Sequence, residues 1–334
     1  MQKASGILIF CLSLIAWSGL AQPQEFGTAK KVLKLMGCRF EITAVAESDS
    51  IAWQAVREGI AEIDRIEKLI SSWDENSQTS AINRAAGVKA VSVDQELYNL
   101  IYRSLKVAKL TGGAFDISFA SMERIWKFDR TEQVLPDSGQ VKDAVALVNW
   151  QNIELGPESY SVFLKKQGMK IGFGGIGKGY AANRARSVME SIPGVKGGVV
   201  NASGDLMAWG ESGKPEGWTI QVADPKNIHR PIASLSLVDQ AIVTSGDYEK
   251  YFTCGGRRYA HIIDPSTGYP TTGIKSVTVI CPDAELADAL ATSIFVMGRE
   301  EGLDLVNQLN QVECIIITDD DAMHTSDHLK LNYL

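Results

Sequence analysis

A chain of 334 residues, 45% hydrophobic and 22% charged, can bury a large core, and its composition gives no case for disorder. The net charge is −7 and no basic block interleaves with aromatics. That excludes nucleic acid, and equally an anionic membrane surface, as an expected partner.

The first residues stand apart. Lys3 supplies a short basic segment, Ile7 to Trp17 an apolar run, and Gly19-Leu20-Ala21 the small-residue spacing that a signal peptidase reads. The pattern predicts a signal peptide over residues 1–21 and one domain, in one or two lobes, over 22–334; the apolar run is short for a membrane span. Cys11 lies within that run behind bulky Phe10, which argues against lipidation. Cleavage after Ala21 removes Lys3, leaves a net charge of −8, and predicts a periplasmic protein. Cys38, Cys254, Cys281 and Cys314 then remain; they allow three pairings in an oxidising compartment, with buried free thiols the simpler reading.

Leu33 to Ala46 reads as a hairpin limb broken near Met36-Gly37. Val56, Ile60, Ile63, Ile66 and Ile70 keep helical spacing behind an Asp49 or Ser50 cap. A polar loop, Ser71 to Ser80, leads to a second helix from near Asp94 that stops at Gly112-Gly113. Met169 to Ile171 reads as a short strand entering a glycine-rich turn, followed by a helix over Tyr180 to Ile192. Further strands are predicted at Gly198–Asn201, Trp218–Ala223, Ala241–Thr244, Lys275–Cys281 and Glu313–Thr318, with a helix over Ala284–Met297. Helices and strands mix without strict alternation, so the fold class is α+β, with antiparallel or mixed sheets and packed helices.

Gly172-Phe173-Gly174-Gly175-Ile176-Gly177 satisfies the dinucleotide pattern GxGxxG, and Gly172 to Lys178 fits GxxxxGK. The second reading fails because Gly179 stands where a P-loop needs a hydroxyl, and the first lacks a carboxylate for a ribose after the next strand. Bare amides at a helix N-terminus beside Lys178 still suit a phosphate or diphosphate, although a turn needed only for close packing has the same spelling. Asn201 to Asp205 is a tight polar turn, and Thr244-Ser245-Gly246 sets two hydroxyls beside a glycine. Of four histidines, His261 is the best placed for acid/base work, at the end of an apolar segment that runs into Asp264-Pro265; a structural histidine remains the alternative. Asp288 and Thr292 share one face of a helix, a hard oxygen pair that suits Mg²⁺, unless Asp288 merely serves the helix dipole.

Taken in order, these segments resemble one family, the ApbE-type FAD:protein FMN transferases. Met36-Gly37 is similar to its Met-Gly motif, and Ser71 to Asn83 to its Ser-rich segment, with Trp73 and Ile82 in the variable places. Gly113 to Asp116 matches Gly-Ala-Phe-Asp, Gly174 to Tyr180 matches Gly-Gly-Ile-Ala-Lys-Gly-Tyr, and Asn201 to Asp205 resembles a Gly-Gly-Asp turn. Thr244 to Gly246, His261 to Pro265 and Ala287 to Thr292 complete a set that runs from Met36 to Gly298.

The resemblance implies a two-lobed architecture with FAD in the cleft and Mg²⁺ at its diphosphate. It implies FMN transfer to a Thr or Ser hydroxyl of an acceptor protein with a flavinylation motif, a membrane electron-transfer subunit being the family expectation. Asp288 and Thr292 become metal ligands, helped by main-chain oxygens near Gly175 and Ala291. Met36, Trp73, Ala114, Phe115, Asp116, Lys178, Thr244, Ser245 and Ile263 would line the flavin. His261 and Asp288 would carry the chemistry, His261 by deprotonating the acceptor hydroxyl or positioning the diphosphate. Gly172 stands where the family usually has Asp, Ser203 where it has Gly, and Ala291 where some relatives have a carboxylate. The same residues also allow an Mg²⁺-dependent FAD pyrophosphatase or a flavin-binding protein without turnover.

Overall fold

The break at Met36-Gly37 is a tight turn, both residues at positive φ (48° and 73°), between β1 (Gly27–Leu35) and β2 (Cys38–Ala46). This is a computed structural model, and it describes residues 26–122, 125–129, 131–214, 217–224, 227–248 and 250–333. The signal peptide expected over residues 1–21 lies outside the described residues. α1 (Asp49–Ile70) is capped by Ser48, whose hydroxyl accepts the Ile51 N–H, one residue ahead of the expected cap. The polar loop that follows is shorter than its composition predicts. α2 (Gln78–Arg84) begins inside it, because Ser77 Oγ accepts the Ser80 N–H.

Next come β3 (Val91–Ser92), α3 (Gln95–Leu110), α4 (Ser138–Val145), β4 (Ile153–Gly156) and β5 (Ser161–Leu164). Met169 to Ile171, expected as a strand, belongs to no sheet. Side chains replace the missing neighbour. Asn83 accepts the Ile171 N–H at 2.8 Å and donates to the Ile171 carbonyl at 3.0 Å. Ser121 accepts the Lys170 N–H at 3.0 Å and donates to the Lys170 carbonyl at 3.3 Å. The buried backbone is thus satisfied without a ladder, an arrangement that residue alternation cannot distinguish from a strand.

α5 (Gly177–Glu190) starts three residues before its predicted first residue, with part of the glycine-rich turn in its first turn. β6 (Val195–Ala202), β7 (Asp205–Gly210), β8 (Trp218–Asp224), β9 (Asn227–Leu237), β10 (Gln240–Gly246), β11 (Tyr251–Cys254), β12 (Arg257–Ala260) and β13 (Ile274–Cys281) follow. α6 (Ala284–Met297), α7 (Arg299–Asn307), β14 (Glu313–Thr318), β15 (Met323–Thr325) and β16 (Asn332–Tyr333) complete the described chain.

Eight strands form one sheet in the order β1-β2-β6-β7-β10-β13-β14-β15, with every neighbouring pair antiparallel. α1, α5 and α6 pack together on it, and their apolar stripes meet residues such as Phe40, Ile42, Val243, Val277 and Ile316 in the main core. A second cluster, Leu206, Ala208, Leu235, Ile242 and Ile280, joins the sheet to the β8–β9 hairpin. A third gathers Met122 of the 3-10 turn Ile117–Met122, Val141 and Ala144 of α4, Phe252 of β11, and Trp126 and Ile263 from outside these elements. The architecture is α+β, as the sequence predicts. Cys38, Cys254, Cys281 and Cys314 are all free thiols.

Candidate active site

The glycine-rich turn sits where it does because α5 and α6 touch at backbone distance. A Cβ at Gly179 would lie 2.0 Å from the Ala284 carbonyl oxygen and 2.9 Å from Asp288 Cβ, so only glycine fits. The close approach lets the Gly179 N–H donate to Asp288 Oδ2 at 3.0 Å. Asp288 is therefore not a first-turn residue. Asp283 caps α6, and Asp288 lies a turn deeper, 3% exposed, its charge meeting an amide at the positive end of α5. Four residues earlier in the turn, a Cβ at Gly175 would be 2.9 Å from Thr292 Oγ1. The fold thus brings Gly175, Asp288 and Thr292 together, with the fully buried Ala291 beside them on α6.

Several of the loop's amides are already engaged. Gly172 N–H donates to the Ile117 carbonyl, Ile176 and Gly177 to that of Phe173, and Gly179 to Asp288. The N-terminus of α5 has no side-chain cap. Its positive end is instead extended by Lys178, whose ammonium pairs with the Asp205 carboxylate. Asp205 also accepts the Thr244 N–H, which ties the β6–β7 turn to β10. Burial pushes the Asp205 carboxyl above the usual carboxylate range, against the pull of Lys178 and the Thr244 amide. Thr244 Oγ1 lies 2.9 Å from Thr278 Oγ1 directly across the β10–β13 ladder.

His261 follows β12 and donates its backbone N–H to the Lys250 carbonyl at 3.0 Å. Its Nδ1 is 3.2 Å from the same oxygen. A carbonyl only accepts, so Nδ1 carries the hydrogen and Nε2 is the basic nitrogen. Burial, with Lys250 and Lys178 adding positive charge nearby, pushes the imidazole down to about 4. It is neutral at physiological pH. The Phe128 ring meets it edge-on, with centroids 6.3 Å apart.

Other expected residues take different places. Met36 reaches the turn: its Cε is 3.7 Å from where a Cβ on Gly177 would stand, and its N–H donates to Glu67 Oε2 at 2.7 Å. Ala114 is half-buried, while Phe115 and Asp116 are buried. The Asp116 carboxylate accepts the Ser118 N–H, the Ser118 hydroxyl and the Trp150 N–H, which commits that side chain to holding the 3-10 turn. Ile263 belongs to the third apolar cluster. Ser245 is half-buried beside Thr244. Trp73 is 80% exposed in the loop between α1 and α2.

The sequence reading met Asp205 only within the Asn201–Asp205 turn and Cys38 only as one of four thiols, gave neither a role in the site, and passed over Lys250. The Cys38 thiol hydrogen-bonds Ser203 and feels Lys178, Asp205 and Lys250, with burial pushing it up. Besides the resemblance of that turn to Gly-Gly-Asp, the signal was Lys178 itself, a lysine in a buried turn that calls for a carboxylate partner.

The model of the ApbE family matches residues 36–316. An FAD:protein FMN transferase of Klebsiella pneumoniae is 32% identical over 258 residues, covering 77% of this chain and 79% of its own. One from Treponema pallidum is 28% identical over 337 residues, covering 96% and 92%. The crystal structure of the ApbE protein of Thermotoga maritima superposes with a TM-score of 0.80 at 32% identity, covering 90% of this chain and 97% of that one. With the family match spanning most of its length, this chain belongs to the ApbE family.

Proposed function

We propose that this protein transfers FMN from FAD to a Thr or Ser hydroxyl of an acceptor protein and releases AMP. The observation that carries the reading is the meeting, around the uncapped start of α5, of two oxygen-rich clusters. One is Lys178, Asp205 and Thr244, and the other Gly175, Asp288 and Thr292. A lysine at a helix N-terminus suits a diphosphate, and a neutral imidazole with a basic Nε2 suits the hydroxyl that attacks it.

The acceptor oxygen forms a bond to the FMN phosphorus as the bridging P–O bond to AMP breaks. His261 Nε2 takes the hydroxyl proton, and the departing AMP carries the electron pair of the broken bond on its phosphate oxygen. Lys178 faces the charge that grows on that oxygen, where a fixed cation is worth most. The Nδ1–H···O=C contact to Lys250 holds the ring in the tautomer that the step needs.

Mg²⁺ belongs to the same proposal. The donors at Asp288, Thr292, Gly175 and Ala291 are one carboxylate, one hydroxyl and main-chain oxygens, a hard set with a single charge that fits a cation retaining water or phosphate ligands. The Gly175–Thr292 approach, too tight for a Cβ, is what supports their use together. Bound there, Mg²⁺ supplies charge neutralisation at the diphosphate. FAD would lie against these clusters and the half-buried Ala114, with Trp73 available to cover an exposed ring. Periplasmic location and a membrane electron-transfer subunit as acceptor complete the proposal. They rest on the residues before Ala21 and on the family expectation; among the described residues no helix is long and apolar enough to cross a membrane.

The test is incubation of the protein with FAD, MgCl₂ and an acceptor bearing a flavinylation motif, followed by mass spectrometry of the acceptor. An adduct of FMN mass that Asp288→Ala abolishes is the expected result. FAD that binds but yields only free FMN and AMP, at a rate the acceptor leaves unchanged, would replace transfer with hydrolysis.

A further inference from the structure

Asp205 is an anion beside a site read as diphosphate-binding, where a carboxylate facing the ligand would repel it. Its burial resolves the conflict. The Asp205 side chain is only 3% exposed, whereas that of its partner Lys178 is 25% exposed. The carboxylate is buried and the lysine side chain is the more exposed of the two. The same carboxylate accepts the Thr244 N–H, so a single side chain fixes both Lys178 on α5 and the end of β10. Its backbone position is itself set by a tight turn, with Ser203 and Gly204 at φ 55° and 109° and Ser203 Oγ donating to the Arg39 carbonyl at 3.0 Å.

We propose that Asp205 is a positioning residue for the diphosphate of FAD: it touches no substrate atom and acts by holding the Lys178 ammonium and the Thr244 turn in their binding geometry. The inference rests on the transferase reading for the identity of the ligand. The lysine arm carries about four rotatable bonds, and tethering its head removes the freedom it would otherwise lose on binding. Asp205 also cancels one of two ammonium charges, those of Lys178 and Lys250, which act on Cys38 and His261 nearby.

A double-mutant cycle on Asp205→Asn and Lys178→Met tests it, read by quenching of FAD fluorescence in the presence of MgCl₂ and by the KM and kcat of FMN transfer. Each single change is expected to weaken FAD binding roughly tenfold, and the double variant to be no more than about twofold worse than Lys178→Met alone, since both remove one device. KM for FAD should rise, and kcat should fall with it, because Lys178 also faces the charge that grows on the leaving oxygen. Independent penalties that multiply to about a hundredfold, or an Asp205→Asn variant that binds FAD within twofold of the parent, would overturn the proposal. If Asp205→Asn does not fold, Asp205→Glu takes its place in the same cycle. It keeps the charge but moves it by one methylene, so raised KM with unchanged melting temperature is expected, and unchanged KM counts against the idea. Absence of transfer by the parent protein would remove the transferase reading, whereas the FAD-binding cycle judges Asp205 separately.

Discussion

Replacing Gly179 by Ala tests whether the contact of α5 with α6 builds the site. The new Cβ would sit 2.0 Å from the Ala284 oxygen and 2.6 Å from its carbon, against backbone and not a side chain that can swing away. The Ala284 position is held, since its N–H donates to Asn183 Oδ1 at 3.0 Å and Asp283 caps the helix through the Leu286 N–H at 3.0 Å. Relief therefore needs the helices to part by about 1 Å, which breaks the Gly179–Asp288 hydrogen bond. Overpacking costs about 1–3 kcal/mol and losing a hydrogen bond to a charged group about 1.5–3, against roughly 1 regained from helix propensity. The net is a loss of about 1.5–5 kcal/mol, or a fall in melting temperature on the order of 2–8 °C for a chain of this length. Differential scanning calorimetry gives the first number. An Mg²⁺ titration of FMN transfer gives the second, because Asp288 is released from its donor, and more Mg²⁺ should be needed for half-maximal rate. A melting temperature within about 1 °C of the parent, with an unchanged Mg²⁺ requirement, would refute the reasoning.

Three further outcomes follow, two from His261 and one from Asn83. With His261 titrating at about 4, roughly 90% of the imidazole is neutral at pH 5, against about 3% for one at 6.5, so transfer should persist to pH 5 in a pH–rate profile. The sign for stability is the opposite of a salt-bridged histidine. Between 6.5 and about 4 the unfolded chain binds the proton and the folded one does not, so stability from this residue is complete above 6.5 and declines as pH falls through that window, measurable by urea unfolding. Asn83→Ala removes both partners of the fully buried Ile171 backbone and should cost about 2–4 kcal/mol in urea unfolding, with a raised KM for FAD as the glycine-rich turn loosens; a cost below about 0.5 kcal/mol would show that other groups hold this segment.

The sequence by itself determined what local periodicity and ordered motifs can carry. The stripe from Val56 to Ile70 gave α1, Ala284 to Met297 gave α6, and Glu313 to Thr318 gave β14, because each is a regular pattern of side chains facing one core. The i, i+4 spacing placed Asp288 and Thr292 on one face before any partner was known. The ordered motifs brought in the family and with it the flavin. What only the tertiary structure decided are relations between segments far apart in the chain. Met169 to Ile171 looks like a strand, yet Asn83, some ninety residues earlier, satisfies its backbone instead of a neighbour. Asp116, placed by resemblance along the flavin, spends its carboxylate on Ser118 and Trp150. Asp205, in what read as an ordinary turn, became the partner of Lys178 because the sheet order sets β7 beside β10 and under α5. A buried charge must find its counter-charge in space, and its distance along the chain says nothing about where that will be.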